Sequence, residues 1–133
     1  MKRIIPLAFA GLVFALASCS DPGPPRYHVE GEVTFGNQPI PHGDIVFTPD
    51  ATKDNSGPQG FAQIRDGKFD TKGPEGKGVA GGPTVVRITG FTGPGGKILC
   101  ETEIQVDLPR EASKQTFDVP AKEAFKGKQG PEI

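Results

Sequence analysis

The sequence predicts an all-β domain, a seven-stranded antiparallel β-sandwich, and two observations favour this class. Glycine and proline make up 19 and 14 of the 133 residues, and they bound short runs in which apolar and polar side chains alternate, as they do in strands with one buried face. No convincing amphipathic helix stands between these runs. A chain of this length holds one domain with a single core.

The first predicted strand, residues 27–35, shows the alternation most clearly. Tyr27, Val29, Val33 and Phe35 face one side, and polar residues face the other. A turn over residues 36–43 follows. The remaining predicted strands are 44–49, the two arms of 60–71, 84–91, 97–108 and 114–120.

Turn residues separate these strands. Asp66-Gly67 supplies the positive φ angles of a tight primed turn, which makes 60–71 a hairpin. Residues 50–59 form a polar loop, and the Gly-rich residues 72–83 form a long connection. Because each strand has one apolar face to cover, the strands are expected to pack as two layers.

The N-terminus has the pattern of a secretory signal peptide. Two positive residues, Lys2 and Arg3, precede fourteen uncharged residues at 4–17. This run is shorter than the roughly 20 residues that a membrane-spanning helix needs, and it has the length of a signal-peptide apolar region. We therefore expect residues 1–18 to be removed.

The end of this run, Leu16-Ala17-Ser18-Cys19, resembles a bacterial lipobox. The resemblance implies cleavage before Cys19 and attachment of a thioether-linked diacylglycerol to its thiol, with Cys19 as the acylated N-terminus. Each buried methylene contributes about 0.8 kcal/mol, and one acyl chain alone binds reversibly, so two or three chains, such as palmitate, anchor stably. Membrane lipid is thus the first predicted partner.

Residues 19–26 are expected to be the lipidated cysteine and a stiff tether, because three prolines and a glycine exclude a regular helix or central strand. Ser20 follows the cysteine where aspartate would favour inner-membrane retention in enterobacterial lipoproteins. The resemblance therefore implies a cell-envelope lipoprotein of the outer rather than the inner membrane. It leaves open the periplasmic or cell-surface face.

Charge and composition exclude several function classes. The formal net charge is -1, and removal of Lys2 and Arg3 leaves thirteen basic and sixteen acidic residues, a net charge of -3. No basic stripe is present, so nucleic acid is not an expected partner. The absence of Trp and the single Tyr make a sugar-stacking platform poor. No P-loop or zinc-ligand spacing occurs, and no cofactor is predicted.

The order of the segments resembles a carboxypeptidase regulatory-like, transthyretin-like (prealbumin-like) β-sandwich with Ig-like architecture. The quoted stretches are VEGEVTFGNQPIPHGDIVFTP, GFAQIRDGKFD and TVVRITGF. The matches are Val29, Gly31 and Val33 in the first strand, Asn37–Ile40, Ile45–Pro49 and Asp66–Phe69. The resemblance implies a sandwich over 27–120, as in small planctomycete-type lipoproteins, followed by a flexible polar tail at 121–133. The strand entry at Gly82–Val86 departs from the family by lacking an aromatic residue.

The two histidines are the candidates for general acid–base groups. His28 is expected at a solvent-facing strand position and His42 in a turn, with Glu30 and Asp44 as the nearest acids. A lone histidine in such a place is generally a surface residue. No serine has the context of a nucleophile, and the sequence predicts no catalytic residue.

Metal binding has one candidate loop. Asp50, Asp54 and Asn55 offer the oxygen ligands that calcium prefers, with possible help from Asp44. Their spacing does not match an EF-hand loop, and Asx-rich loops are usually turns that bond their own backbone. The sequence therefore predicts no metal site. If the domain did bind calcium, Asp50, Asp54 and Asn55 would be the candidate ligands.

Cys100 is the single free thiol once Cys19 is acylated, so no disulfide within the domain is available. The predicted strand 97–108 places Ile98, Cys100, Ile104, Val106 and Leu108 on one face. We expect Cys100 to act as a small buried hydrophobe.

Two function hypotheses remain. The first is a non-enzymatic, monomeric accessory domain that binds an envelope protein or glycan, or has a structural role, with loops 50–59 and 72–83 as the binding elements. The second is a transthyretin-like hydrolase or small-molecule carrier. It would require an oligomer with His and Arg residues clustered across a two-fold axis.

Overall fold

The computed structural model describes residues 23–124. The signal peptide at 1–18, the lipobox with Cys19, and the tail beyond residue 124 lie outside the described residues, so those predictions stay predictions. Within residues 23–124, no helix is long and apolar enough to cross a membrane.

Eight strands account for most of the described chain. In order they are β1 Val29–Phe35, β2 Gln38–Pro39, β3 His42–Pro49, β4 Gly60–Arg65, β5 Lys68–Asp70, β6 Gly82–Phe91, β7 Ile98–Leu108 and β8 Ser113–Val119. Single turns of 3-10 helix lie at Ala51–Lys53 and Ala121–Glu123. The all-β prediction is confirmed, and its strand boundaries differ from the observed ones by about two residues.

The additional strand is β2, which lies inside the predicted turn 36–43. Gly36 and Asn37 have φ angles of 54° and 64°, so the reversal takes only two residues. Gln38 and Pro39 can therefore pair back onto β1. The predicted Asp66-Gly67 turn is confirmed, with φ angles of 51° and 76°, and it joins β4 to β5.

Hydrogen bonds join the strands in one open sheet that curls into a half-barrel. The order is β2–β1–β5–β4–β3–β6–β7, with β8 added alongside β1. On β1, β8 pairs along the whole strand, whereas β5 pairs with residues 30–32 and β2 with residues 34–35. Because a strand has two edges, β2 and β5 share one edge end to end and β8 occupies the other.

The pairing of β8 corrects the prediction of a wholly antiparallel fold, because β8 runs parallel to β1. Five antiparallel pairings lead from β1 to β7, so β7 runs opposite to β1. The connection 109–112 reverses the chain once more, and β8 therefore runs with β1. Gly31 permits this pairing, because a Cβ there would overlap the carbonyl oxygen of Gln115.

The short β7–β8 connection also explains why the sheet curls. Seven strands side by side in a flat sheet would separate β7 from β8 by about 29 Å. The five residue steps from Leu108 to Ser113 reach no more than about 18 Å. The two ends of the sheet must therefore approach each other.

The core fills the inside of this curl. Its centre is three phenylalanines, with ring centroids 6.0 Å apart for Phe47–Phe69, 6.4 Å for Phe47–Phe117 and 6.0 Å for Phe69–Phe117. Phe47 lies on β3 and Phe117 on β8, with β4, β5 and β1 between them along the sheet. Their contact crosses the core, so the inner face of β8, at one end of the sheet, packs against the inner face of β3, four strands away.

Burial follows the predicted alternation on most strands. Val29 and Val33 on β1, and Phe117 and Val119 on β8, are buried. Cys100 is buried as predicted, and burial raises the pKa of its thiol. Ile98 is the exception, because a β-bulge next to the Phe91–Ile98 pair shifts the register and leaves Ile98 38% exposed. The prediction that Ile98 shares the buried face of Cys100 is wrong.

The aromatic centre generates a stability prediction. We expect Phe47→Ala to lower the free energy of unfolding by about 3–5 kcal/mol, because it leaves a cavity beside Phe69 and Phe117 in the core. Ile98→Ala, a large-to-small change at an exposed position, should cost less than about 1 kcal/mol. Urea titration followed by circular dichroism measures both. Similar losses for the two variants would contradict the assignment of Phe47 to the core.

Candidate functional site

A polar groove of about 700 Å³ lies on the outward side of the sheet where β4, β5, β1 and β8 meet. Glu30 and Glu32 point into it because they alternate along β1 with the buried Val29 and Val33. The residues that line the groove are Glu30, Gly31, Glu32, Gln63, Arg65, Lys68, Phe69, Asp70, Gly73, Pro74, Glu75, Gly76, Lys114, Gln115 and Thr116. Four are acidic and three are basic.

Strand register places these charges in rows. Across β1 and β5, Glu32 lies opposite Lys68, and across β1 and β8, Glu30 lies opposite Lys114. The Lys114 Nζ atom is 3.8 Å from Glu30 Oε1. The floor therefore presents both signs of charge at fixed spacings on backbone that is held by hydrogen bonds.

One wall of the groove is the segment 73–76, which follows β5. Gln63 Nε2 donates to Glu75 Oε2 at 2.9 Å, and Arg65 Nη2 donates to Gln63 Oε1 at 2.9 Å. The side chains of β4 thus hold the wall beside the floor. Gly76 is required there, because a Cβ would overlap the backbone of Thr71.

His28, Glu30 and Asp70 form a cluster at the border of the groove, which Glu30 and Asp70 also line. His28 Nε2 lies 2.7 Å from Asp70 Oδ1 and 3.9 Å from Glu30 Oε2. Their donor atoms all lie within 4.8 Å of one another, close enough for one metal ion. The buried hydrogen bond from Val29 N to Thr71 Oγ1, 2.9 Å long, fixes the start of β1 beside the end of β5 and so positions the cluster.

The pKa of Asp70 lies below its ordinary value. The largest cause is the backbone N–H of Lys72, which donates to the carboxylate at 2.8 Å. The hydrogen bond from His28 and its charge act in the same direction, and partial desolvation opposes them. Asp70 is therefore held as the anion at neutral pH.

The surroundings of His28 and the position of His42 both differ from the prediction. His28 has Glu30 nearby, as the sequence suggested, but its closest acid is Asp70, 42 residues away, which the sequence did not single out. His42 is the first residue of β3 rather than part of a turn, because β3 begins two residues before the predicted strand. Its ring lies 6.4 Å from that of Phe91, outside the groove.

The calcium candidates Asp50, Asp54 and Asn55 lie in the loop after β3. Asp50 is 4% exposed and accepts from the backbone N–H and the hydroxyl of Thr52. Asn55 Nδ2 donates to the carbonyl oxygens of Gly81 at 2.9 Å and Pro83 at 2.6 Å. These bonds tie loop 50–59 to the end of the Gly-rich connection, and they give both side chains a structural role.

Asp44 cannot complete that loop. Asp44 is the third residue of β3 and Asp50 follows its last residue, so the six residue steps along the extended strand separate their Cα atoms by about 20 Å. The suggested contribution of Asp44 is therefore wrong. Of the two predicted binding loops, only part of 72–83, the wall at 73–76, lines the groove.

Comparison with protein-family models, with curated proteins and with solved structures finds no match to this chain. The groove is therefore interpreted from its own chemistry. Among residues 23–124, no serine or cysteine lines the groove. Its charges and amides suit the recognition of a polar ligand.

The lowered pKa of Asp70 generates a pH prediction. Because the folded pKa lies below the ordinary value of 3.8, the stabilisation is fully present above about pH 4 and is lost as pH falls through the lower folded pKa. Asp70→Asn should therefore reduce the free energy of unfolding at pH 6 by under about 1 kcal/mol, since the pair is partly exposed.

The measurement is urea unfolding of the unchanged protein and of Asp70→Asn between pH 2 and pH 7, in EDTA. The difference in free energy of unfolding between the two proteins should become smaller as the pH falls. A difference that stays constant across the range would contradict the role of the ionised carboxylate. Asp118→Asn serves as the matched control, because it removes an exposed carboxylate on a different strand, β8.

Proposed function

We propose that this protein is a non-enzymatic, lipid-anchored domain of the cell envelope that binds a partner in the groove on β4, β5, β1 and β8. The observation that carries the proposal is the groove itself, which has a hydrogen-bonded strand floor and a wall fixed by Gln63 and Glu75. A rigid scaffold of this kind binds without a large ordering cost.

The lining favours a polypeptide segment over a glycan. Phe69 is the one aromatic residue among the lining residues, and it is only 3% exposed, so a sugar ring has little to stack on. Arg65, Lys68 and Lys114 can pair with carboxylates, whereas Glu30 and Glu32 can accept from basic side chains and N–H groups. A segment that carries both signs of charge complements this surface.

The proposed anchor places the groove near the membrane. Acylated Cys19 precedes His28, which lies beside the groove residues Glu30 and Asp70, by nine residues, a reach of no more than about 32 Å. The last tether residues join the domain firmly, since Arg26 Nη1 donates to the carbonyl oxygen of Gln59 at 3.0 Å and Tyr27 pairs with Val79. A partner in the envelope would thus be held close to the lipid surface.

We also propose that the curled sheet is a variant of the carboxypeptidase regulatory-like, transthyretin-like sandwich. The contact of Phe47 with Phe117 across the core supports this, because it brings two parts of the sheet face to face as two layers would be. The Asp66-Gly67 hairpin between β4 and β5 links those two parts.

Site-specific photo-crosslinking tests the groove. A photoreactive residue at Thr116, on the groove floor, should trap a discrete envelope protein in intact cells, whereas one at Gln105, exposed on β7, should not. Charge reversal by Lys68→Glu should abolish the Thr116 product, because it removes a cation from the floor. Equal products at Thr116 and Gln105 would contradict the proposed binding face.

The oligomeric state separates the two function hypotheses in the same preparation. Light scattering on the detergent-solubilised protein should give a monomer. A stable tetramer would instead favour the transthyretin-like carrier or hydrolase.

Labelling tests the anchor independently. Cys19→Ala should abolish incorporation of labelled palmitate and release the protein from the membrane fraction, because the acylated thiol is lost. Cys100→Ala, at the buried thiol, is the control and should label normally. Persistent labelling of Cys19→Ala would contradict the lipobox assignment.

A further inference from the structure

We infer that His28, Glu30 and Asp70 form a binding site for a first-row divalent transition-metal ion, with Zn²⁺ as its representative. The inference does not depend on the proposed partner or anchor. It rests on the placement of three ligand-type side chains by two paired strands and the residue that precedes one of them, on an unfavourable pairing of charges, and on the chemistry of the donor set.

The scaffold places the three side chains on one face. His28 is the residue immediately before β1, and Glu30 is the second residue of that strand. The backbone at His28 is held in place because its carbonyl oxygen accepts from the N–H of Ser113 at 2.9 Å, and its imidazole lies 3.9 Å from the Glu30 carboxylate. Asp70 on β5 is the direct cross-strand partner of Glu30. Two of the donors therefore come from facing positions on hydrogen-bonded strands, and the third comes from the residue that leads into one of them. Strands hold a site more firmly than loops do.

The pairing of Glu30 with Asp70 is the second observation. Like charges directly opposite each other in an antiparallel pair are destabilising. The next pair on the same face of these two strands is Glu32 with Lys68, which carry opposite charges. That pair is favourable, so the like-charged pair of Glu30 with Asp70 stands out beside it. The nearby cation, Lys114, is 84% exposed and 3.8 Å from Glu30. A divalent ion between the carboxylates would convert the repulsion into attraction.

The distances are close to those of a metal site. A tetrahedral Zn²⁺ with N and O ligands at 2.0–2.1 Å separates its donor atoms by about 3.3 Å. His28 Nε2 lies 2.7 Å from Asp70 Oδ1 and 3.9 Å from Glu30 Oε2, one shorter and one longer than this value. Rotation of the carboxylate side chains, which are 49% and 38% exposed, can make up both differences.

The donor set selects the class of ion. One imidazole and two carboxylates suit Zn²⁺ and related first-row ions, whereas Ca²⁺ and Mg²⁺ take oxygen ligands. Three protein ligands leave a fourth position for water or for a group of another molecule. Glu30 and Asp70 also line the groove, so that position is accessible from it.

Calorimetry on the full chain, purified in detergent, tests the inference with ZnCl₂ as the probe. We expect one Zn²⁺ per chain and no binding of CaCl₂ at this site. His28→Gln, Glu30→Gln and Asp70→Asn should each weaken the binding at least about tenfold. Lys114→Ala should tighten it about twofold to fivefold, because a competing cation is removed.

Two matched variants are the controls. His42→Gln removes the other histidine of the sequence, and Glu32→Gln removes the neighbouring carboxylate of β1. Both should bind Zn²⁺ as the unchanged protein does. Circular dichroism melts of every variant establish that it is folded before titration.

The two histidines also give a direct spectroscopic reading. Zn²⁺ should shift the imidazole NMR signals of His28 and leave those of His42 in place. Absence of saturable binding would overturn the inference, as would His28→Gln binding that equals that of the unchanged protein. Equal losses in Glu30→Gln and Glu32→Gln would show nonspecific attraction to the acidic surface and would overturn it too.

Discussion

The contact of Phe117 with Phe47 and Phe69 is the interaction on which the rest of the structure depends. The connection 109–112 is too short to span a flat sheet, so β8 can begin only where the end of β7 comes close to the start of β1. That crossover brings the apolar face of β8 over the open side of the curl. Burial of three aromatic rings then stabilises the crossover, because aromatic side chains contribute the largest apolar areas in a small core.

The same closure builds the groove. Phe117 and Val119 face the core, so Lys114 and Thr116, which alternate with them, must face outward beside Glu30 and Glu32. Without β8 the groove would lose the part of its lining that Lys114, Gln115 and Thr116 provide. The groove therefore depends on the core, and a partner that contacts β1 and β8 together would favour the native sheet over any form in which β8 has separated from β1.

Patterns within short stretches of the sequence predict those features of the fold that depend on residues close together in the chain. The alternation in β1 predicts which side chains are buried, and Asp66-Gly67 predicts the hairpin. Non-local register decides the rest: the parallel β1–β8 pair, the outward Ile98 at a bulge, and the contact of His28 with Asp70. That contact requires knowing that β5 neighbours β1, which no spacing within either segment reveals. The turn at Gly36-Asn37 could have been found, because both residue types accept positive φ.

Electrostatics divides the outer face of the sheet into two parts. On β6 and β7, Arg87 and Glu103 are cross-strand partners joined by two hydrogen bonds, the shorter 2.7 Å, and this carboxylate raises the pKa of Arg87. The positive charge of Arg87 and the negative charge of Glu103 are thus paired with each other. On β1 and its neighbours, the Lys114–Glu30 pair is 3.8 Å long, and Glu30 faces another carboxylate. Because charges that are already paired gain little from a ligand, the outer face around β1 gains more from binding a charged ligand than the outer face of β6 and β7 does.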